Sequence, residues 1–145
     1  MSLLDFSKIN EMAEKNGRPF NILVIDDEKR ITDIYREFCD LTEALNVELA
    51  HSGEDAINKI NNTIFDLVTL DLIMPEMSGL DVLNSIKQAS PQLPVMVITG
   101  NATNRLVNEA GVMGACKVLY KPVMLEDFLE EITSALGKKM TMRTI

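Results

Sequence analysis

The stretch FDLVTLDLIMPEMSGLDVL, residues 65–83, decides how this chain folds. It begins with an apolar, β-branched run and passes through Asp71 into a short loop that contains Pro75 and Gly79. It then continues with apolar residues at helical spacing. A continuous apolar run is typical of a strand that is buried on both faces of a parallel sheet. The segment therefore predicts a strand, a carboxylate directly after it, and a helix.

The same order of strand and helix recurs on both sides of this segment. Short apolar runs predict five strands, at residues 21–25, 47–51, 65–70, 94–100 and 117–120. The run at 47–51 alternates polar and apolar residues, which favours the edge of the sheet, whereas the other four are nearly continuous and favour burial on both faces. Apolar residues at helical spacing follow each run and predict five helices. Five such units predict an α/β fold with an open, doubly wound, mostly parallel sheet.

Start and stop signals agree with these helices. Ser52 and Ser78 each precede a helical stretch and have an aspartate three residues later, which approximates a capping box. Gly137 follows the last apolar stripe and is expected to end that helix. We therefore expect residues 137–145 to form a polar tail.

The length of 145 residues indicates one domain, which we place at residues 20–136. Residues 1–19 form an N-terminal extension in which apolar residues recur at helical spacing before a break at residues 16–19. Two interpretations of this extension remain open. It is either frayed, or a short helix that docks on a partner or on a second copy of the chain.

The charge balance excludes some classes of protein. The net charge is −8, so the surface repels phosphate backbones and we expect no direct binding of nucleic acid. No apolar run approaches the roughly 18 residues of a membrane span, and no signal peptide is visible, so we expect a cytoplasmic protein. Cys39 and Cys116 lack the spacing of a metal site and are interpreted as small apolar side chains, with a redox pair as the alternative.

Reactive side chains follow the predicted strands, at the edge where ligands bind in such sheets. Asp26 and Asp27 follow the first strand, Asp71 the third, Thr99 ends the fourth, and Lys121 follows the fifth. Two like charges about 4 Å apart repel by on the order of 4 kcal/mol at an effective dielectric constant of about 20. A lysine and a hard divalent cation such as Mg²⁺ would compensate the carboxylates. Acids, cation, hydroxyl and ammonium together are what phosphoryl transfer requires.

The chain resembles the receiver domain of two-component response regulators. The motifs ILVIDDE, FDLVTLDLIMPEMSGLDVL, VMVITGNA and VLYKPV follow the pattern of that family in order and spacing, and the resemblance covers residues 20–136. It implies a flavodoxin-like fold with strand order 2-1-3-4-5. It also implies a phosphoprotein that carries 4-aspartylphosphate in a phosphorelay and that is not an enzyme beyond its part in its own phosphorylation and dephosphorylation.

The resemblance assigns a role to each acid. Asp71 would be the phosphoacceptor, phosphorylated by a sensor histidine kinase or a phosphotransfer protein. Asp27 and Asp71 would bind Mg²⁺ directly together with the backbone carbonyl of Ile73, and Asp26 would contribute through water.

The resemblance also assigns the residues around the acids. Thr99 and Lys121 would contact the phosphoryl group, and Thr99 would act in switching. Pro75, Gly79 and Pro122 would shape the loops, with a cis bond before Pro122.

The sequence departs from the family pattern at one switching position. The family often has an aromatic residue three positions before the lysine, where this chain has Val118, and its aromatic Tyr120 adjoins Lys121 instead. We therefore expect switching to use Thr99 and residues 100–103 without a ring flip.

Partners follow from the same resemblance. The signal would pass to a downstream protein or to a missing output domain, and a homodimer would use the fourth helix, fifth strand and fifth helix, residues 103–136. This assignment rests on fold-level analogy.

Alternative functions remain open. A receiver fold could act as a phosphate-independent binding module, and a phosphatase similar to the haloacid dehalogenases would carry phosphate on Asp26. A flavodoxin-type flavin carrier is excluded because the acids after the first strand would repel the flavin phosphate.

Overall fold

A computed structural model describes residues 5–143 and shows strands alternating with helices. The strands are β1 (Phe20–Ile25), β2 (Leu45–Ala50), β3 (Leu67–Leu70), β4 (Val95–Thr99) and β5 (Lys117–Tyr120). The helices are α1 (Ser7–Asn16), α2 (Lys29–Cys39), α3 (Gly53–Asn62), α4 (Gly79–Ala89), α5 (Asn104–Val112) and α6 (Leu125–Arg143).

All five strands pair in parallel in one sheet, in the order β2-β1-β3-β4-β5. The predicted fold and strand order are therefore confirmed, with strand ends within two residues of the predicted ones. The described residues form six helices rather than five because α1 precedes the alternating units. β2 lies at an edge, as its alternating pattern predicted.

Two hydrophobic clusters cover the two faces of the sheet. In β1, Ile22 and Val24 belong to one cluster and Leu23 and Ile25 to the other, as the two-residue period of a strand requires. The first cluster contains buried residues of α1, α2 and α6, and the second contains those of α3, α4 and α5. The central strands are thereby fixed from both sides, and their carboxyl ends point to a common edge.

The predicted helix starts are confirmed. The Ser52 hydroxyl accepts a hydrogen bond from the Asp55 backbone N–H at 3.1 Å, and the Ser78 hydroxyl accepts one from Asp81 at 3.2 Å. Thr103 caps α5 in the same way, a start that the sequence analysis did not identify.

The prediction that Gly137 ends the last helix is wrong, because α6 continues through it to Arg143. Gly137 faces Met12 of α1: a Cβ there would lie 3.8 Å from the Met12 Cε. Leu136 is buried in the first cluster and Met140 packs against it. This packing outweighs the preference of about 1 kcal/mol against glycine inside a helix. Residues 137–143 are thus helical rather than a tail, and residues 144–145 lie outside the described part.

The expected burial of β5 on both faces is also wrong. Lys117 and Tyr120 are exposed, and Val118 and Leu119 are only half-buried. Among residues 5–143, β5 pairs with β4 alone and is an edge strand, so side chains of a neighbouring strand flank it on one side only.

Helix α1 packs on the core of its own chain. Ile9 and Met12 are buried in the first cluster, which also contains Leu136 of α6. The helix ends at Gly17, whose φ of 81° is left-handed and favours glycine. The N-terminal extension therefore contains a helix and is not frayed over Ser7–Asn16, but this helix packs on its own chain and not on a partner or a second copy. Residues 1–4 lie outside the described part.

A buried carboxylate just before β3 connects α6 and the segment after α1 to the sheet. Asp66, 1% exposed and just before β3, accepts two hydrogen bonds from Arg18, at 2.8 and 3.1 Å. It also accepts bonds from Lys139 of α6 at 2.9 Å and from the Asn21 backbone N–H at 2.7 Å. Burial alone would raise the pKa of Asp66, but these bonds outweigh it and lower the pKa below 3.8.

None of the helices in the described part of the chain combines the length and the apolar composition needed to cross a lipid bilayer.

Replacing Asp66→Asn should lower the free energy of unfolding by about 2 kcal/mol, because Arg18 and Lys139 lose a charged acceptor. The folded pKa of Asp66 is depressed, so its stabilisation is complete above pH 3.8 and is lost as the pH falls through the folded pKa. The difference between wild type and variant should therefore shrink in acid. Urea unfolding at several pH values measures it.

The matched control is Asp33→Asn, which removes an exposed ion pair with Lys29. That change should alter stability by less than about 0.5 kcal/mol. Equal losses in the two variants would contradict the role of Asp66.

Candidate functional site

Two buried carboxylates lie side by side where β1 and β3 end. Asp26 and Asp71 are 2% and 4% exposed. Ile25 and Leu70, the residues before them, are paired in the sheet register. Each backbone is anchored, since the Asp71 N–H donates to the Ile25 carbonyl at 3.0 Å and the Asp26 N–H donates to the Ala50 carbonyl at 3.1 Å. The sheet thus fixes both acids at one edge.

Lys121 joins these two carboxylates. Its Nζ donates to Asp26 Oδ2 at 2.6 Å and to Asp71 Oδ2 at 3.0 Å, with Glu28 Oε1 4.0 Å away. Its backbone N–H donates to the Thr99 carbonyl at 2.9 Å, which fixes the start of the loop after β5. The peptide bond between Lys121 and Pro122 is cis, as the resemblance implied.

The buried charges alter one another's proton affinity. Burial raises the pKa of Asp26, and the hydrogen bond from Lys121 offsets this only in part. Burial alone would lower the pKa of Lys121, but its bonds to Asp26 and Asp71 outweigh burial and raise it above its usual value. Lys121 therefore remains a cation at neutral pH and balances carboxylate charge inside the site.

The second oxygen of Asp71 is held by two further donors. The Thr99 hydroxyl, on a residue with 0% exposure, donates to Asp71 Oδ1 at 3.1 Å. The Ile73 backbone N–H donates to the same oxygen at 3.0 Å. Both carboxylate oxygens of Asp71 thus point at fixed donors, so the side chain has a defined orientation.

Asp27 completes a group of three acids. One carboxylate oxygen from each of Asp26, Asp27 and Asp71 lies within 4.8 Å of the others. Asp27 is exposed, whereas the other two are buried, so the group opens to solvent on the side of Asp27. Such a set of carboxylate oxygens could hold a hard divalent cation.

The loop after Asp71 needs a glycine. Gly79 is buried, and its N–H donates to the Leu72 carbonyl at 3.1 Å. A Cβ at this position would lie 2.3 Å from the Leu72 Cα, so no larger residue fits without moving backbone. Pro75 and Pro122 are exposed, and Ile73, 49% exposed, lies at the rim of the site.

The structure therefore brings together all five predicted side chains, namely Asp26, Asp27, Asp71, Thr99 and Lys121. It places Tyr120 with 56% exposure, outside the interior. Their chemical roles remain predictions.

Tyr35 of α2 interacts electrostatically with the site, and the sequence analysis did not identify it. It is 4% exposed, and its ring stacks on Phe128 of α6 with centroids 4.9 Å apart. Burial raises its pKa to about 12, with smaller effects of Lys121, Asp26 and Asp71. Its position in an apolar helical stripe gave no signal of this interaction.

Comparison with known proteins identifies the family. The family model for the response regulator receiver domain matches residues 22–133, which is most of the chain. The chain belongs to this family. The resemblance seen in the sequence is therefore confirmed, and so are the response-regulator class and the flavodoxin-like fold.

Named relatives agree with this assignment. The receiver domain is 34% identical over 123 residues to the transcriptional regulatory protein ZraR of Salmonella typhimurium, and this covers 81% of the chain and 26% of the relative. It is 28% identical over 121 residues to the luminescence regulatory protein LuxO of Vibrio campbellii, covering 83% and 26%. The chain thus spans about a quarter of the length of these relatives.

A solved structure matches the fold closely. The CheY-like response regulator receiver domain protein from Methanospirillum hungatei JF-1 superposes with a TM-score of 0.82 at 28% identity. The match covers 85% of this chain and 98% of that one.

Replacing Lys121→Met should lower the free energy of unfolding by about 3 kcal/mol in metal-free buffer, because Asp26 and Asp71 lose their shared cation. Adding Asp71→Asn to this variant should restore part of the loss by removing one of the two carboxylates. Urea unfolding measures both. A Lys121→Met protein as stable as Lys29→Met, which removes only a surface ion pair, would contradict this account.

Proposed function

We propose that this receiver domain accepts a phosphoryl group on Asp71 from the phosphohistidine of a sensor kinase or a phosphotransfer protein. The observation that carries the proposal is the environment of the Asp71 carboxylate. Lys121 donates to one oxygen, while Thr99 and the Ile73 N–H donate to the other. These donors orient the nucleophile before the phosphodonor arrives.

The proposed reaction is an in-line displacement at phosphorus. An Asp71 carboxylate oxygen forms a P–O bond while the P–N bond to the donor histidine breaks, and the electron pair of that bond returns to the imidazole nitrogen. The leaving imidazole nitrogen takes up one proton from solvent, so the products are an acyl phosphate and a neutral histidine, and charge and atoms balance. In this proposal the domain is not an independent enzyme but takes part in its own phosphorylation and dephosphorylation.

Lys121 and Thr99 would supply the stabilisation. The Lys121 ammonium would compensate negative charge on the incoming phosphoryl oxygens. The Thr99 hydroxyl, now bonded to Asp71, can donate to a phosphoryl oxygen instead. That exchange of acceptors would move Thr99 and residues 100–103, with Tyr120 remaining outside.

Mg²⁺ is the proposed cofactor. Asp26, Asp27 and Asp71 provide hard oxygen donors within 4.8 Å of one another, which fits this ion, and the Ile73 carbonyl would add a fourth oxygen. When bound, the ion would neutralise phosphoryl oxygens that the carboxylates otherwise repel.

The proposed output surface is that of α5, β5 and α6. It carries large apolar side chains in contact with solvent: Val112 is 90%, Tyr120 56% and Met124 66% exposed. Exposed apolar groups of this kind favour contact with a protein partner. A downstream protein or a second copy would bind there.

Phosphosite mapping tests the proposal. After incubation with acetyl phosphate and Mg²⁺, the label should map to Asp71, and Asp71→Asn should abolish it. Label on Asp26 would instead support a dehalogenase-like phosphatase, and no label on any residue would support a phosphate-independent binding module.

Thermal unfolding provides the control for the metal. Mg²⁺ should raise the melting temperature of the wild-type protein, because an ion that binds only the folded state stabilises it. Asp27→Asn should reduce this rise, while Asp33→Asn on the exposed face of α2 should leave it intact. An unchanged wild-type melting temperature in millimolar Mg²⁺ would contradict the metal site.

The acyl phosphate should be long-lived because Ile73, two residues after Asp71, cannot orient a hydrolytic water. Ile73 lies at the rim with 49% exposure, and Asn101, two residues after Thr99, is also exposed. Ile73→Asn should accelerate loss of phosphate by about tenfold, the rate factor of one hydrogen bond worth about 1.4 kcal/mol.

The decay of labelled protein after removal of the phosphodonor measures this rate. Ile73→Val keeps an apolar side chain and should decay like the wild type. Equal rates for the asparagine and valine variants would refute the explanation.

A further inference from the structure

A second concave site lies at the amino-terminal ends of the strands, opposite the carboxyl ends where the acids lie. It is a cavity of about 490 Å³ between the starts of β4 and β5 and the second half of α6. Cys116 and Lys117 contribute to it at the start of β5, whereas Lys121 follows the end of that strand. At about 3.3 Å per residue, the two sites are separated by on the order of 13 Å along β5. The cavity is therefore spatially separate from the acid site.

Positive charge gathers around this cavity although the protein carries a net charge of −8. Its lining includes Lys117, Lys138 and Lys139, against one acid, Glu131. The Lys117 Nζ lies 3.8 Å from Glu131 Oε1, with 51% of the lysine side chain exposed, so this pair is weak. Within the described part of the chain, no carboxylate pairs with Lys138.

The positive charge of Lys139 is partly compensated, because its ammonium donates a hydrogen bond to Asp66 at 2.9 Å. Asp66, however, also binds Arg18. Arg18 and the three lysines thus face two carboxylates, Asp66 and Glu131, and the cluster keeps a net charge of +2. An anion in the cavity would find uncompensated cations.

The remaining walls of the cavity combine apolar surface with groups that form hydrogen bonds. Pro94 and Ala135 contribute apolar surface, and the methylene stems of the lysines extend it. Gln92 and Ser134 add groups that can donate hydrogen bonds. A volume of about 490 Å³ lies in the range of small-molecule sites, which combine apolar walls with a few polar groups.

We propose that this cavity binds a small organic phosphate, with the phosphate between Lys117 and Lys138 and the organic part against Pro94 and Ala135. Phosphate is favoured over a singly charged anion because two ammonium groups from different elements converge on the cavity, and lysine binds phosphate as a point charge. The proposal does not depend on phosphorylation of Asp71.

Titration with 1-naphthyl phosphate tests the site, in buffer with EDTA so that the acid cluster cannot recruit a cation. Amide NMR shifts should change saturably at the start of β5 and in the second half of α6. Cys116 supplies a second readout because it is exposed in the cavity wall, whereas Cys39 has 0% exposure. Bound probe should slow the reaction of Cys116 with N-ethylmaleimide.

Matched charge variants separate a site from general attraction. Lys117→Gln with Lys138→Gln should weaken binding by about tenfold or more. Lys8→Gln with Lys15→Gln changes the net charge equally on the exposed face of α1 and should weaken binding less than about twofold. Equal weakening in the two pairs would overturn the proposal.

Three further probes define the ligand class. Inorganic phosphate should bind more weakly than 1-naphthyl phosphate, and neutral 1-naphthol should not protect Cys116. Equal affinity for 1-naphthoate would overturn the assignment to phosphates. Absence of saturable binding by naphthyl phosphate and naphthoate alike would overturn the site itself.

Discussion

The two hydrogen bonds from the Lys121 ammonium to the carboxylates of Asp26 and Asp71 hold the functional edge of this protein together. Lys121 lies 95 residues from Asp26 and 50 from Asp71 in the sequence. These bonds therefore connect the carboxyl ends of three strands, β1, β3 and β5. Without a shared cation, two buried carboxylates would repel each other in a medium of low polarity. The charge of this one side chain therefore makes an otherwise unfavourable cluster compatible with a folded domain.

The sheet register makes that contact possible. Ile25 pairs with Leu70, so the next residues, Asp26 and Asp71, leave the sheet side by side. Thr99 pairs with Tyr120, which brings the residue after Tyr120 into reach of both acids. Because all strands run parallel, every carboxyl end contributes to the same edge. The grouping of the site residues thus follows from strand order and register, and it does not require long loops.

The sequence predicted the structure correctly where a short-range pattern of residues alone determined it. Apolar runs predicted the strands, and side chains at the ends of four of the five runs predicted the site, because both depend on short-range pattern. It failed at Gly137, where the glycine signal for a helix end competes with contacts to Met12 across the structure. It also missed Tyr35, whose electrostatic interaction with Lys121 depends on how α2 packs and not on any spacing in the chain. Tertiary packing decides these cases, and a single sequence does not reveal it.

Because α1 packs on α6, the buried core extends beyond the residues that are similar to the family. The family match runs from residue 22 to residue 133. Ile9, Met12 and Leu136 lie outside those limits, yet they belong to the same buried cluster as Ile22 and Ile132. A recombinant fragment trimmed to the region of similarity would expose that apolar surface to water and invite self-association. The segment that folds as one unit is therefore longer than the segment that matches the family.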